Sequence, residues 1–438
     1  MLDFLRKLIA LDSPLRIAYH YARGVIAFWF SGNPAQNMIV IGVTWTKWKT
    51  TTTNLIAKWL QKAGKKVAMF STVSLSIDGK IEDNNMKMTT PSPFFLWKWL
   101  RRARDAGCEY AVIETSSHAL FYHRVFGLRY DAAILTNISQ DHLDLHKTMD
   151  NYVDTKLQLF RNLYKNGIQK WIRKIGVVNI DSEYADRFLT RDIVVDNLYT
   201  VWFSPSAQIR AENVVNTEFT TEFDVKIPSN HFHLTSKLPG NFNISNILCA
   251  VAILMSQKID IKTIQALISE FACVPGRLEE ISNTRWAKIY VDYAHTEESL
   301  RSVLDTLRQM KITKRIITVF GATGDRDTTK RPKMWKVVDD MSDIIILTDD
   351  DTYTEDSLKI IREVTEGISR REGEWFWIIP SREDAIRTAL IMLQPGDVLI
   401  VAGKWAETVQ VTQKWSIPWN DRLVIEKILM EIEAQVLV

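Results

Sequence analysis

Glycine is scarce in this chain. There are 17 glycines in 438 residues, against roughly 30 at an ordinary usage of about 7%. Tight turns and close backbone approaches to a ligand normally draw on glycine, so the shortage must show somewhere. Cysteine is scarcer: Cys108, Cys249 and Cys273 share no short spacing. That excludes a disulfide framework or a CxxC site and predicts small buried thiols in a reduced, cytoplasmic protein. An excess of one charge is also missing. The net charge of +3, from 55 basic and 52 acidic residues, is too small to argue for nucleic acid or a membrane surface as partner. No signal peptide is visible. The apolar stretch Leu15 to Phe30 is broken by Arg16, His20 and Arg23, which predicts a surface-lying or packed helix and no stable membrane insertion. What the chain has in excess is tryptophan, 15 residues. Otherwise 46% apolar and 24% charged residues describe an ordinary globular protein, long enough for about two or three domains.

Residues 1–37 read as one or two helices ending at Ser31-Gly32-Asn33-Pro34, a loop signal. Apolar runs at 38–43, 66–70, 110–114, 132–136 and 176–180 then alternate with helical stretches such as 50–63, 93–106 and 150–163. This alternation predicts a parallel sheet covered by helices. Residues 200–237 alternate polar and apolar and predict antiparallel ribbons, followed by a helix from Ile244 to Gln257. Past Val274-Pro275-Gly276-Arg277 the alternation restarts. Strands are expected at 287–291, 315–320, 343–348, 376–380 and 397–402, and helices at 296–310, 332–341, 354–367, 381–393 and 421–435. The fold class is α/β. Residues 1–37 form a helical segment, 38–275 a central P-loop domain and 276–438 a Rossmann-like domain.

The central stretch is Met38 to Asn54, MIVIGVTWTKWKTTTTN. A β-branched run, a turn with Lys49 and a helical pattern opened by Thr50 make the arrangement of a phosphate-binding loop. Backbone N–H groups and the helix dipole hold phosphate oxygens, the lysine adds a point charge and the threonine offers a hydroxyl to Mg²⁺. Trp45 and Trp48 do not fit, because they stand where the chain must curl tightly against phosphate. Polar residues also follow the other strands: Glu114-Thr115-Ser116-Ser117-His118 after one, Thr136 to Asp144 after the next, and then Lys156. Ligands bind at such carboxyl ends in open α/β sheets. Singly, each residue has a structural explanation as a cap or ion-pair partner. Behind a phosphate loop, Glu114 and His142 point to hard-cation chemistry around ATP.

With these segments in order, the chain resembles the Mur ligases, most of all those that add the third residue to UDP-N-acetylmuramoyl-dipeptide. GVTxTKxKTTT is similar to the family's ATP loop. MTTP (Met88 to Pro91), ETSSHAL (Glu114 to Leu120) and Arg124 resemble segments that hold the muramoyl-dipeptide, and TNISQDHLDLH (Thr136 to His146) with Lys156 resembles the metal segment. LPGNFNISN, VPGRLE, VDYAHT, GATGDRDTTKRP and AGKWAE continue the likeness to Glu407.

The resemblance implies roles. Thr46, Lys49, Thr50, Thr51, Asn243, Arg277 and Asp292 would bind ATP. Thr50, Glu114, His142 and Lys156 would hold two Mg²⁺, with Lys156 carbamylated by CO₂ into an anionic oxygen ligand. Lys49, Glu114, His142 and Lys156 would carry catalysis. Thr89, Thr90, Ser116, His118 and Arg124 would meet the muramoyl-dipeptide. Arg326, Asp350, Asp351, Tyr353, Gly403 and Glu407 would meet the incoming amino acid. The implied reaction is ATP-dependent amide formation: the dipeptide carboxylate attacks the γ-phosphate to give an acyl phosphate, and an amine then displaces phosphate. The expected partners are UDP-N-acetylmuramoyl-dipeptide and a free amino acid, not nucleic acid, and the expected state is a monomer.

The chain departs from the family in three respects. About 37 residues precede the ATP loop, so the uridine-binding domain of full-length relatives is expected to be missing. Relatives that take diaminopimelate carry Asp-Asn-Pro-Arg, whose arginine clamps the far carboxylate. Here the stretch is Asp350-Asp351-Thr352-Tyr353, and an acidic pocket would suit a diamino acid without that carboxylate, such as lysine or ornithine, although diaminopimelate stays open. Finally, Trp45, Trp48, Trp335 and Trp405 stand where the family has glycine, while Trp202, Trp286, Trp375 and Trp415 sit at expected turns. A gene whose UGA codons mean glycine, read with UGA as tryptophan, produces both the excess and the deficit. Trp377 and Trp419 suit their contexts as tryptophan. Two alternatives stand beside the ligase: a superfamily sibling, such as a folylpolyglutamate synthase or a ligase for a lipid-linked muramoyl substrate, and a non-catalytic relative if Trp45 and Trp48 are genuine.

Overall fold

The computed structural model describes residues 10–436 except 45–48, 85, 87, 166–172, 218–219, 272, 285–286, 311–312, 326–327, 329–330, 405–408 and 414–415. The chain divides into two compact units. The first holds Met1–Val215, Glu222–Ser236 and Phe242–Phe271, and the second holds Asn216–Thr221, Lys237–Asn241 and Ala272–Val438.

The first unit opens with helix α1 (Pro14–Ser31), which Gly32 ends in the left-handed conformation at φ 66°. Strand β1 (Ile39–Thr44) leads to α2 (Lys49–Lys62), β2 (Val67–Phe70), the hairpin β3 (Ser74–Ile77) and β4 (Lys80–Asp83), α3 (Pro93–Asp105) and β5 (Tyr110–Glu114). After it come α4 (Ser117–Phe121), β6 (Ala132–Leu135), α5 (Leu143–His146), α6 (Met149–Lys165) and β7 (Ile175–Asn179). Strands β8 (Asn197–Trp202), β9 (Ile209–Asn216), β10 (Thr221–Ile227) and β11 (Asn230–Ser236) precede α7 (Asn241–Ser256) and α8 (Ile261–Glu270).

One sheet takes all eleven strands, in the order β11-β10-β9-β8-β7-β6-β1-β5-β2-β3-β4. The IVIGVT run of β1 is apolar on both faces because it lies between parallel β5 and β6 under helices on either side. Between β5 and β6 the chain crosses from one side of β1 to the other. That crossing opens a crevice at the carboxyl ends, where ligands bind in such sheets. Trp97, Trp99 and Leu100 of α3 and Val153, Leu157 and Phe160 of α6 fill the core around these strands.

The expectation of antiparallel ribbons over 200–237 holds for β10 and β11, which neighbour one another across the two residues 228–229, a connection that only an antiparallel hairpin can make. It does not hold for β8 and β9: β8 runs parallel to β7 and β9 parallel to β8, and all these strands extend the large sheet. Alternation along a strand reports one buried face and says nothing about the direction of its neighbour. The β3–β4 hairpin was not expected, although Asp78-Gly79, both at positive φ, is a strong hairpin turn signal.

In the second unit β12 (Glu279–Ile281) runs antiparallel to β13 (Lys288–Asp292). The chain continues through α9 (Glu297–Gln309), β14 (Ile316–Phe320), α10 (Arg331–Met341), β15 (Ile344–Leu347), α11 (Ser357–Thr365), β16 (Phe376–Ile378), α12 (Arg382–Met392) and β17 (Val398–Ala402). A small pair, β18 (Val409–Val411) and β19 (Ser416–Pro418), precedes α13 (Asp421–Val436). The sheet order is β12-β13-β17-β14-β15-β16, parallel apart from β12.

Candidate active site

Glu114, the last residue of β5, is buried and organises the carboxyl end of the first sheet. Its carboxylate accepts the Thr50 hydroxyl at 3.1 Å, the Thr72 N–H at 2.8 Å and the Thr72 hydroxyl at 2.9 Å. The start of α2 is thereby tied to β5 and to the loop after β2. The Thr89 hydroxyl lies 3.0 Å from that of Thr72, which accepts from it because its own proton goes to Glu114. Thr90 donates to the Glu114 carbonyl at 2.9 Å and accepts the Ser116 N–H at 3.0 Å, while Arg124 donates to the Thr90 carbonyl at 3.1 Å. Ser116 caps α4 by accepting the Ala119 N–H. Thr89, Thr90, Ser116 and Arg124, read from separate segments of the sequence, therefore share one hydrogen-bonded cluster.

His142 precedes α5 in the left-handed conformation, φ 55°, and its ring centroid lies 4.6 Å from that of His118. Its side chain is 42% exposed. Desolvation of the inner part of the ring lowers its pKa; Asp141 opposes that shift, and Lys49 and Lys156 add to it. Burial, then the nearby His142, His146 and Arg124, pushes His118 down to about 3. His146 is buried between Ser117 and Thr155, whose hydroxyls lie 3.1 and 3.4 Å from its two ring nitrogens. Lys156 on α6 is fully buried, with its ammonium 4.6 Å from the Tyr152 ring centroid. Desolvation, reinforced by Lys49, holds its pKa well below the ordinary value. A neutral amine is the form that adds CO₂.

Thr44 at the end of β1, Thr51 in the first turn of α2 and Thr136 after β6 each bury a hydroxyl with no hydrogen-bond partner. Orphaned buried donors are rare, and together with Lys49 they fit phosphate oxygens. Among the described residues no three His, Cys, Asp or Glu side chains converge on a metal position. The oxygen donors present are the Thr50 hydroxyl and the Glu114 carboxylate. They fit Mg²⁺, which is usually bound through one or two protein ligands and completed by phosphate and water. Asn243 is buried on α7 and accepts from Asn246 at 3.1 Å; Asn246 in turn accepts the Thr52 hydroxyl at 3.0 Å, joining α7 to α2.

In the second unit Asp292 ends β13 and accepts the Leu278 and Ala294 N–H groups, each at 2.7 Å. This holds the 274–279 turn, where the Arg277 guanidinium lies 5.1 Å from the Tyr293 ring centroid. Asp350 and Asp351 are both buried after β15. Lys404, after β17, reaches Asp351 at 2.5 Å and Asp350 at 3.5 Å. Asp351 also accepts the Val411 N–H at 2.8 Å, and Asp350 the Thr323 hydroxyl at 3.1 Å. The acidic pocket expected for a ligand's amine thus already holds the chain's own ammonium, because two carboxylates buried this deeply need a cation beside them. Tyr353 is half-buried at φ 48°. Gly403 takes φ 94°, and a Cβ there would stand 2.9 Å from the Phe320 ring.

Thr46, Arg326 and Glu407, with Trp45, Trp48, Trp286, Trp405 and Trp415, lie outside the described residues. Three contributors escaped the sequence reading. Thr72 could have been found by its place at the carboxyl end of β2. His146 and Lys404 lie inside segments already singled out, but only their contacts give them a role.

The Mur ligase middle domain pattern matches residues 43–254, and the Mur ligase glutamate ligase domain matches 276–405. A UDP-N-acetylmuramoyl-L-alanyl-D-glutamate–2,6-diaminopimelate ligase of Clostridium botulinum is 36% identical over 406 residues, 92% of this chain and 80% of that protein. The protein of that name from Geobacillus kaustophilus is 35% identical over 412 residues, 94% of this chain and 82% of its own length. A solved structure with the same description superposes with a TM-score of 0.65 at 26% identity, covering 94% of this chain and 83% of that one. Mycobacterium tuberculosis folylpolyglutamate synthase, solved with ADP, gives 0.70 at 15% identity over 88% and 92%, a likeness of fold alone. On the two matched domains and the extent of these likenesses, the chain belongs to the Mur ligase family.

Proposed function

We propose that this chain is the ATP-dependent ligase that joins a diamino acid to UDP-N-acetylmuramoyl-L-Ala-D-Glu in peptidoglycan precursor synthesis. One observation carries the reading: Glu114, through its carboxylate to Thr50 and Thr72 and its backbone carbonyl to Thr90, ties the start of α2 to the loops that bear Thr72, Thr89 and Thr90. That linkage supports a nucleotide-phosphate position beside a position for the carboxylate to be activated. The likeness to diaminopimelate-adding relatives supports the substrate class. Lys49 would bind and orient the transferred phosphoryl group, and Thr50 with Glu114 would hold Mg²⁺. His142 and a carbamylated Lys156 would complete a second position, for which the lowered pKa of Lys156 is the support. Bound Mg²⁺ would supply neutralisation of the charge developing on the phosphate oxygens. The Thr89, Thr90, Ser116, His118 and Arg124 side would hold the peptide carboxylate in line with that group. The division into 1–37, 38–275 and 276–438 belongs to the same proposal, as do a cytoplasmic setting and a monomeric state. The test is phosphate release from ATP with UDP-N-acetylmuramoyl-L-Ala-D-Glu and a panel of diaminopimelate, lysine and ornithine. No release with any of them overturns the reading.

The same proposal includes glycine, in the cell, at positions 45, 48, 202, 286, 335, 375, 405 and 415. Support comes from the described positions. Trp202 has φ 150° and Trp375 φ 61°, a region that disfavours bulky side chains. Trp335 is fully buried in α10 with no partner for its indole N–H; Trp59, Trp97 and Trp99 share that property, so the backbone angles carry more weight. Codons and a peptide mass map of the protein from its own cells decide it: UGG codons or tryptophan masses at these positions overturn it.

A further inference from the structure

Helix α1 leaves one whole side uncovered. At about 100° per residue, Leu15, Tyr19, Ile26, Trp29 and Phe30, with Ala18 and Ala22 between them, fall in one sector about 120° wide. Leu15 is 78% exposed, Trp29 75% and Phe30 80%. The opposite side is the packed one. Gly24, Ala27 and Ser31 are buried there, and Phe28 lies against Trp97 of α3 and Phe126. The exposed stripe therefore lies opposite the helix's contact with the sheet unit and runs along its full length. An apolar strip of this extent marks an interaction surface rather than scattered exposure.

Basic residues outnumber acids beside the stripe, although Asp12 ahead of the helix, paired with Lys147, and Glu82 also stand nearby. Helix α1 contains no acidic residue, and Arg16 and Arg23 border the stripe on one edge. Arg23 lies 5.4 Å from the Tyr19 ring centroid and 5.8 Å from that of Phe94, itself exposed at the start of α3. Helix α3 adds Lys98, Arg101, Arg102 and Arg104 against the single acid Asp105, which Arg104 pairs; Arg102 is taken up by Glu82. Arg101 donates to the Phe30 and Ser31 carbonyls at the end of the stripe. A chain with almost balanced charge overall thus sets several arginines beside this apolar stripe. The sequence ahead of the helix, MLDFLRKLIALDS, is apolar with two acids and two bases. No described helix is long and apolar enough to cross a membrane.

We propose that this face of α1 is a peripheral docking surface for an anionic lipid bilayer. Trp29, Phe30, Ile26 and Leu15 enter the headgroup–acyl boundary, and Arg16, Arg23 and the cations of α3 meet lipid phosphates. Aromatic and aliphatic residues on one face with arginine at its border are what an interfacial helix needs, and the charge makes the attachment lipid-selective. A protein partner would not require arginines at the edge of the stripe.

The test is flotation of the full chain with phosphatidylcholine vesicles, with and without phosphatidylglycerol, at low and high salt. Expected are binding to the phosphatidylglycerol vesicles about tenfold above phosphatidylcholine alone, and its loss in high salt. Trp29→Ala with Phe30→Ala lowers the bound fraction about tenfold while the soluble ligase rate is unchanged, and Arg23→Gln lowers it by a smaller factor. Equal binding to both vesicles, or no loss in the double variant, overturns the proposal. So does a dimer in light scattering that the double variant dissociates, since the face then belongs to a second copy of the chain.

Discussion

The two sheets present similar loops at their carboxyl ends, yet they treat charge in opposite ways. In the second unit the buried acids are closed off: Asp350 and Asp351 share Lys404, and Asp351 also takes a backbone donor from β18. In the first unit one lysine stands close enough to another to depress its pKa. Lys49 helps hold the buried Lys156 below its ordinary pKa, and threonine hydroxyls at the strand ends and in the first turn of α2 stay unpartnered. Orphaned donors are costly in an isolated fold. Such donors are retained where an anion completes them, which supports the proposed placing of the phosphate chemistry in the first crevice.

The largest effect should separate the two chemically. Lys49→Ala should lower ATP-dependent phosphate release, as kcat/KM, by about three orders of magnitude. Asp351→Asn, assayed at a temperature where the variant is folded, should cost far less in the phosphate-forming step. Equal losses would erase the distinction between the crevices.

Stability should separate them in the reverse sense. Lys404→Met leaves two carboxylates without their cation, both under 5% exposed, and should destabilise the second unit by about 3 kcal/mol in denaturant titration. Lys156→Met replaces a fully buried amine whose charged form is disfavoured by desolvation. It should abolish activity while leaving the first unit as stable as before or more stable by about 1 kcal/mol. A large loss of stability in Lys156→Met would mean that this lysine is a structural partner like Lys404.

The contrast also explains what could be read from sequence. Lys49, Glu114 and His142 were legible because each follows an apolar strand, and the topology of an α/β sheet brings strand ends together whatever the loops do. The alternating helices and strands that build the parallel part of both sheets were legible within a few residues because their periodicity is strong, whereas the β3–β4 hairpin, β12, the β18–β19 pair and α8 were not. The partners of Glu114 were not: Thr72 lies 42 residues away in sequence, and no local pattern reports a hydrogen bond across a sheet. Nor did sequence reveal that Lys404 neutralises Asp350 and Asp351, since the charge of a residue is visible and its compensation is not. The direction of β8 and β9 escaped for a related reason, because alternation is blind to the neighbour's orientation.

The smallest expected effect tests the tryptophans within one short segment of the second unit. Trp375 precedes β16 at φ 61° with 57% of its surface exposed, so its indole contributes little burial while its backbone carries a penalty of about 1 kcal/mol. Trp377 lies within β16, paired in register with Ile346 and partly buried against the core of the second unit. Trp375→Gly should raise stability by about 0.5 kcal/mol, the relieved strain exceeding the added entropy of the unfolded chain. Trp377→Gly should lower it by about 2 kcal/mol through lost burial and a weakened strand. Denaturant midpoints with unchanged slopes would read both. If both changes destabilise, position 375 is built for tryptophan, and the backbone evidence for glycine there falls.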